Sequence, residues 1–398
     1  MNISSASFKF IFSLILILAL QCPASALRAD TVVSLFKEYQ DHLQYGETVE
    51  ALVKIEKAYL LSEQNNGENH ATTKILKLNF AQLYVTERDT NPDYDAARAI
   101  ELLNDYIDYE TQKNGDTSLS LIDPLMSLGI AHLWHKSPLL GGQREFRDRV
   151  RRFGGDRQTR TKAVRDGRYK ALKQFDRAVT IADLHQQELP QLGADIRFES
   201  AKILYEKGIE QDQAIRYLQE AHQRYAKQLA TTDARVILTA FWLGQALKMT
   251  ADYDNSNRFF KKVIEGYAEA GFASNDKAVE AYMAMIENYE INKQTDAATE
   301  LLKALARIQP WFKVRERLPA FQPELTINVS GEEQFAQARF ELQINPEGRV
   351  TNADVLAFSG NEALLPAITD SMLQRRYVPK FLEGEFQSSV TEATVTIR

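Results

Sequence analysis

Cysteine is nearly absent from these 398 residues: the sequence holds one, Cys22. That excludes a disulfide scaffold and a zinc–thiolate site, and leaves no thiol nucleophile beyond position 22. Glycine (18) and proline (11) are also scarce, which excludes collagen-like or linker-dominated architecture. Long apolar runs are missing. The longest, Ile11–Leu20, falls short of the ~20 residues that cross a bilayer, so a polytopic membrane protein is excluded. Neither sign of charge dominates: 48 Lys+Arg face 54 Asp+Glu, a net of -6, which speaks against a dedicated nucleic-acid binder. What is present is ordinary globular material, 44% hydrophobic and 10% aromatic, long enough for two or three domains.

Residues 1–26 have the form of a targeting signal. Lys9 supplies a positive start, Ile11–Leu20 an apolar centre, and Ala24-Ser25-Ala26 the small residues that a signal peptidase needs. Cleavage after Ala26 is expected, with an uncleaved inner-membrane anchor facing the periplasm as the alternative. Gln21 before Cys22 fits a lipidation site poorly.

From about residue 30 to 310 the chain runs in amphipathic stretches of helical period separated by short polar breaks. A repeat is clear at Leu243, Gly244, Leu247, Tyr253, Ser256, Phe260 and Val263. Small residues at Gly244 and Ser256 suit a close crossing of two helices, and large ones at Leu247 and Phe260 fill the space between turns. Ala201, Tyr205, Ala214, Leu218 and Ala221 form a second copy; Met285, Tyr289, Ala298, Leu302 and Leu305 form a third. These offsets resemble the tetratricopeptide family. About six helix pairs are expected, with Val32–Leu43 and Val49–Leu61 as a capping unit.

One copy is interrupted. Leu247 and Ser256 are nine apart, whereas the matching His132 and Ala171 are 39 apart, so an insertion of about thirty residues is expected at 137–166. From Arg144 to Lys173 it carries twelve Lys/Arg against four acids, with Arg144, Arg147, Arg151, Arg152, Arg160 and Arg165 among them. Three readings stand: a solvated basic face, contact with anionic lipid headgroups or an acidic partner, and nucleic acid, which the few interleaved aromatics disfavour. Gly141-Gly142 and Gly154-Gly155 lack the spacing of a phosphate loop.

At Pro310 the period changes. Pro310, Pro319 and Pro323 mark a linker over 310–334, after which Ala338, Phe340, Leu342 and Ile344 alternate with polar residues as a half-buried strand. Asn345-Pro346-Glu347-Gly348 is a hairpin turn into a second strand, which Ser359-Gly360-Asn361 ends. Leu364, Ile368 and Met372 share a helical face, and Ala393, Val395 and Ile397 close the chain as a third strand. The succession Gly348-Arg349-Val350, Ser359-Gly360 and Tyr377-x-Pro379 resembles the C-terminal domain of the TonB family over residues 335–398. The resemblance implies a two-strand, helix, strand fold that takes a segment of an outer-membrane transporter onto its sheet edge. It also implies contact with ExbB–ExbD-type machinery. The family's coupling His in an uncleaved anchor has no counterpart before His42, so action independent of proton-motive force is expected.

His132 and His135 are one turn apart without a matching carboxylate, and no nucleophile, zincin or paired-acid motif stands out. No metal, cofactor or catalytic residue is expected; the chain reads as a non-enzyme. The expected fold is mainly α, a tetratricopeptide-like helical solenoid over 27–309 followed by a small α+β TonB-like domain. The expected role is a periplasmic protein-interaction scaffold, accessory to TonB-dependent transport, that binds proteins or peptides in the solenoid groove. The alternatives are an envelope-assembly or cell-wall-associated binding protein, and an anchored energy transducer.

Overall fold

The computed structural model describes residues 31–91, 93–134, 157–308, 319–323, 325 and 335–397, with side chains from 165 onward in the third of these segments. The chain divides into two compact units, Met1–Pro190 and Gln191–Arg398.

In the first unit, α1 (Val32–Tyr45) pairs with α2 (Thr48–Asn66), α3 (Ala71–Thr86) with α4 (Ala96–Asn114), and α5 (Ile122–Trp134) with α6 (Arg157–Leu184). Local chemistry starts and stops these helices. Thr31 and Ser34 close a capping box ahead of α1, and Gly46 ends it in the left-handed region at φ 77°. Asp95 accepts from the Ala97 N–H to start α4. Between α3 and α4 two buried lysines share one acid: Lys74 Nζ lies 2.6 and 2.7 Å from the Asp105 oxygens, and Lys77 Nζ 2.8 Å from Oδ2. Burial alone would raise that carboxyl, but the two lysine hydrogen bonds prevail and hold it below the usual range.

The third pair shows why its glycine is there. A Cβ built on Gly129 of α5 would fall 2.4 Å from the Phe175 ring of α6, so only hydrogen fits the crossing. α6 begins at Arg157 and continues without a break to Leu184. Ten residues of the expected insertion are therefore an N-terminal extension of the second helix, since this stretch has neither proline nor a turn signal strong enough to stop it. Residues 137–156 of the insertion lie outside the described residues.

The second unit repeats the plan. It pairs α7 (Leu192–Glu206) with α8 (Gln211–Gln228), α9 (Ala234–Met249) with α10 (Tyr253–Glu269), and α11 (Asp276–Ile291) with α12 (Thr295–Ile308). Caps at Asp233, Asp252 and Asn275 start α9, α10 and α11. The crossing of α9 and α10 uses the same device as the pair before: a Cβ on Gly244 would meet the Phe260 ring at 2.8 Å. Ser256 Oγ donates to the Gly244 carbonyl (2.8 Å), and the buried Asn288 amide of α11 donates to Ser256 Oγ (3.0 Å) and Asn257 Oδ1 (2.8 Å), linking three helices through polar groups.

The C-terminal module in the same unit has a three-stranded antiparallel sheet in the order β2-β1-β5, made of β1 (Ala336–Ile344), β2 (Val350–Gly360) and β5 (Ser389–Ile397). Strict alternation along β1 buries Ala336, Ala338, Phe340, Leu342 and Ile344 under α13 (Leu365–Leu373), whose Ile368 and Met372 complete the core with Leu364 and Tyr377. Two details differ from the expectation. Ser359 and Gly360 remain paired with Gln337 and Ala336, so they belong to the strand rather than to the break that ends it, and the chain turns at Asn361. A small hairpin, β3 (Lys380–Leu382) and β4 (Glu385–Gln387), stands between the helix and the last strand. Its turn places Glu383 and Gly384 at φ 53° and 86°, with the Phe381 and Phe386 rings 4.9 Å apart across it.

Candidate binding surfaces

The sheet offers two open edges. Each of β2 and β5 has β1 on one side and, among the described residues, no strand on the other. On the face away from α13, Arg339 and Gln343 of β1 are exposed, as are Val390, Glu392, Thr394 and Thr396 of β5. Val355 and Leu356 of β2 stand 43% and 44% exposed, and shifts in register near Phe340 and Ile344 bend that strand.

Most of the residues that carry the TonB resemblance build the module. Gly348 sits at φ 78° with its α-carbon so close to the chain that a Cβ would meet the Tyr377 carbonyl oxygen; its own carbonyl accepts from the Tyr377 N–H (2.9 Å). Arg349 bridges to Arg376 through the backbone, Val350 is buried in the core, and Ser359 and Gly360 complete the β1–β2 ladder. Pro379 leads from buried Val378 into β3.

Arg376, beside that motif, makes a connection that sequence spacing does not show. Its guanidinium forms an ion pair with Glu290 of α11, donates to Thr299 Oγ1 of α12 (2.7 Å) and donates to the Glu347 carbonyl (3.1 Å). The side chains are 3% and 8% exposed. Burial pushes the Glu290 carboxyl up, against the pull of Arg376 and Arg349, and burial likewise pushes the Arg376 guanidinium down. Around the pair, Ile286, Leu302 and Leu305 pack with Ala320 and Val378. Ala320 and Phe321, from the stretch read as a linker, donate to the Arg376 carbonyl. The module is thus packed against α11 and α12.

Among the repeat-signature residues, Leu243, Gly244, Leu247 and Phe260 lie inside the α9–α10 crossing and Tyr253 begins α10 half-buried. Their work is packing. A surface is offered instead by half-buried aromatics, such as Tyr205 of α7, which meets Trp242 of α9 edge to face at 5.2 Å.

Of the basic patch, Arg165 is exposed on α6, Arg160 lies on that helix, and Arg144, Arg147, Arg151 and Arg152 are outside the described residues, as is the signal expected over 1–26. His132 is buried on α5. Among the described residues no group of three or more His, Cys, Asp or Glu is placed to hold a metal ion, and no helix is long and apolar enough to cross a membrane.

No family model and no curated protein matches the chain. Solved structures similar to it include the tetratricopeptide-like repeats of a putative kinesin light chain from Podosopora anserina (14% identity, 60% of this chain and 96% of that one, TM-score 0.43). Another is a signal transduction ATPase with numerous domains and a tetratricopeptide-repeat sensor from Pyrococcus horikoshii (13% identity, 71% and 36% covered, TM-score 0.45). A third is the C-terminal part of a repeat-containing protein from Cytophaga hutchinsonii (14% identity, 70% and 96% covered, TM-score 0.30). With scores below 0.5, none of them bears on what this chain binds.

Proposed function

We propose that this protein is a protein-interaction scaffold whose C-terminal module takes an extended segment of a partner onto an open sheet edge, as an accessory component of TonB-dependent transport across the outer membrane. The open edges of β2 and β5 carry the reading. An unpaired edge presents a row of N–H and C=O groups that a partner strand satisfies one for one, and exposed side chains along it supply selectivity. The buried Arg376–Glu290 pair supports it further, because it holds the module against α11 and α12 and so presents the edge from a firm base. The sequence resemblance to the TonB family names the partner class, and the expected signal over 1–26 puts the work in the periplasm.

The test is in-cell photocrosslinking from a reactive side chain at Thr394 or Thr396, both exposed on β5. Adducts with an outer-membrane transporter or with ExbD-type components are expected. Capture of cell-wall or envelope-assembly proteins alone would remove the transport assignment and leave a scaffold of another pathway.

A further inference from the structure

A groove of about 430 Å³ runs between α8 and α10. Gln219, His222, Gln223 and Lys227 line it from α8, and Phe259 and Lys262 from α10, over a floor that includes Leu243. No carboxylate lines it, in a chain whose acids outnumber its bases 54 to 48.

The geometry fixes one cation there without a counterion. Thr239 Oγ1 lies 2.7 Å from the Arg235 carbonyl and 3.0 Å from that of Val236, so its proton goes to the α9 backbone. Its lone pair therefore accepts from His222 Nδ1–H at 3.2 Å. That leaves the lone pair of the buried imidazole on Nε2, facing Lys262 Nζ at 3.4 Å. The ammonium also sits over the Phe259 ring, 4.9 Å from its centre, and that ring stands edge-on to His222. An uncharged acceptor and a ring thus hold Lys262, and neither neutralises it. Neither Lys262 nor Lys227 forms an ion pair among the described residues. Gln219 and Gln223, one turn apart, add amide groups that both donate and accept, as a peptide backbone does.

We propose that the groove between α8 and α10 binds an acidic peptide segment of a partner protein, with Lys262 and Lys227 taking its carboxylates and Gln219 and Gln223 its main chain. The proposal deepens the reading of the helix pairs as a protein-binding scaffold and rests on it. His222 is a positioning residue here: it orients the Lys262 ammonium without offering a competing charge.

The experiment is fluorescence anisotropy with the full chain, using a labelled decapeptide rich in Glu and Asp and its Gln/Asn counterpart. The acidic peptide is expected to bind, the neutral one at least about tenfold more weakly, and Lys262→Gln or Lys227→Gln to cost about tenfold each. Both lysines are exposed, so these variants keep the wild-type circular dichroism spectrum. Equal binding of the two peptides, or affinity unchanged in both variants, overturns the proposal. Inorganic phosphate displacing the peptide at matched concentration of charge also overturns it, since the groove would then be a general anion site. Crosslinking from Thr396 in the Lys262→Gln protein separates the two readings: retained adducts with lost peptide binding confine the effect to this groove. Retained adducts and no peptide binding even in the wild type leave the scaffold standing and remove the groove.

Discussion

An imidazole free in water takes its proton near pH 6.5. In His222, burial first and the Lys262 ammonium second push that value down to about 4. The sign of the consequence follows from linkage: between these two pH values the unfolded chain binds a proton that the folded chain refuses. The stability contributed by the neutral imidazole is therefore present above about pH 6.5, and is lost as pH falls toward 4. Urea unfolding at several pH values should show this loss as a difference between proteins: His222→Gln should fall less steeply than wild type between pH 6.5 and 4. Equal slopes would show that the imidazole is no more burdened in the folded chain than in the unfolded one. Single residues were unevenly legible. Gly244 and Ser256 announced a close crossing by their offsets, and the structure puts the Phe260 ring against the glycine and the Ser256 hydroxyl on its carbonyl. The pairing of Lys262 with His222 was not visible, because it joins α8 to α10 across 40 positions of sequence.

Secondary-structure elements were the most legible level, because their periods are written locally. Alternation along β1 and the shared face of Leu364, Ile368 and Met372 follow from which residues seek the core, and both are found. The β3–β4 hairpin was missed: three residues per strand are too few for a period, and its turn uses Glu383 in the left-handed region, which no sequence rule favours. The β1–β2 turn supplies a prediction at this scale. Gly348→Ala must place a Cβ at φ 78° against the Tyr377 carbonyl oxygen, so either the turn or the Tyr377 strand entry has to move. A loss of about 1–3 kcal/mol is expected by denaturant unfolding. A substitution at Gly384, where φ is also positive but no atom lies within 4 Å, should cost less.

At the scale of the molecule, the module belongs to the same compact unit as α7–α12. Removing one partner of a buried ion pair leaves the other charge without compensation, at about 3–5 kcal/mol. Arg376→Met should therefore lower the exchange protection of β1 and β5 amides while changing those of α9 and α10 far less. Glu290 is already pushed up by burial, so without Arg376 it takes a proton more readily still. For an acid raised in the folded state, stability is present at low pH and lost as pH rises through its folded value. The Arg376→Met defect should thus be larger at pH 8 than at pH 5, and Arg376→Met with Glu290→Leu should recover most of it. A defect independent of pH would show that Arg376 acts through packing alone.

The amino-acid sequence alone determined the helical period, the small-against-large crossings, the alternating strands and the polar turns, because each depends on residues within a few turns of one another. Tertiary structure alone decided that Gly348 sits against the Tyr377 carbonyl, that Arg376 reaches Glu290 across 86 positions, and that Lys262 rests on a neutral imidazole. Those contacts join elements distant in sequence, where burial and low dielectric set the energies and no local period records them.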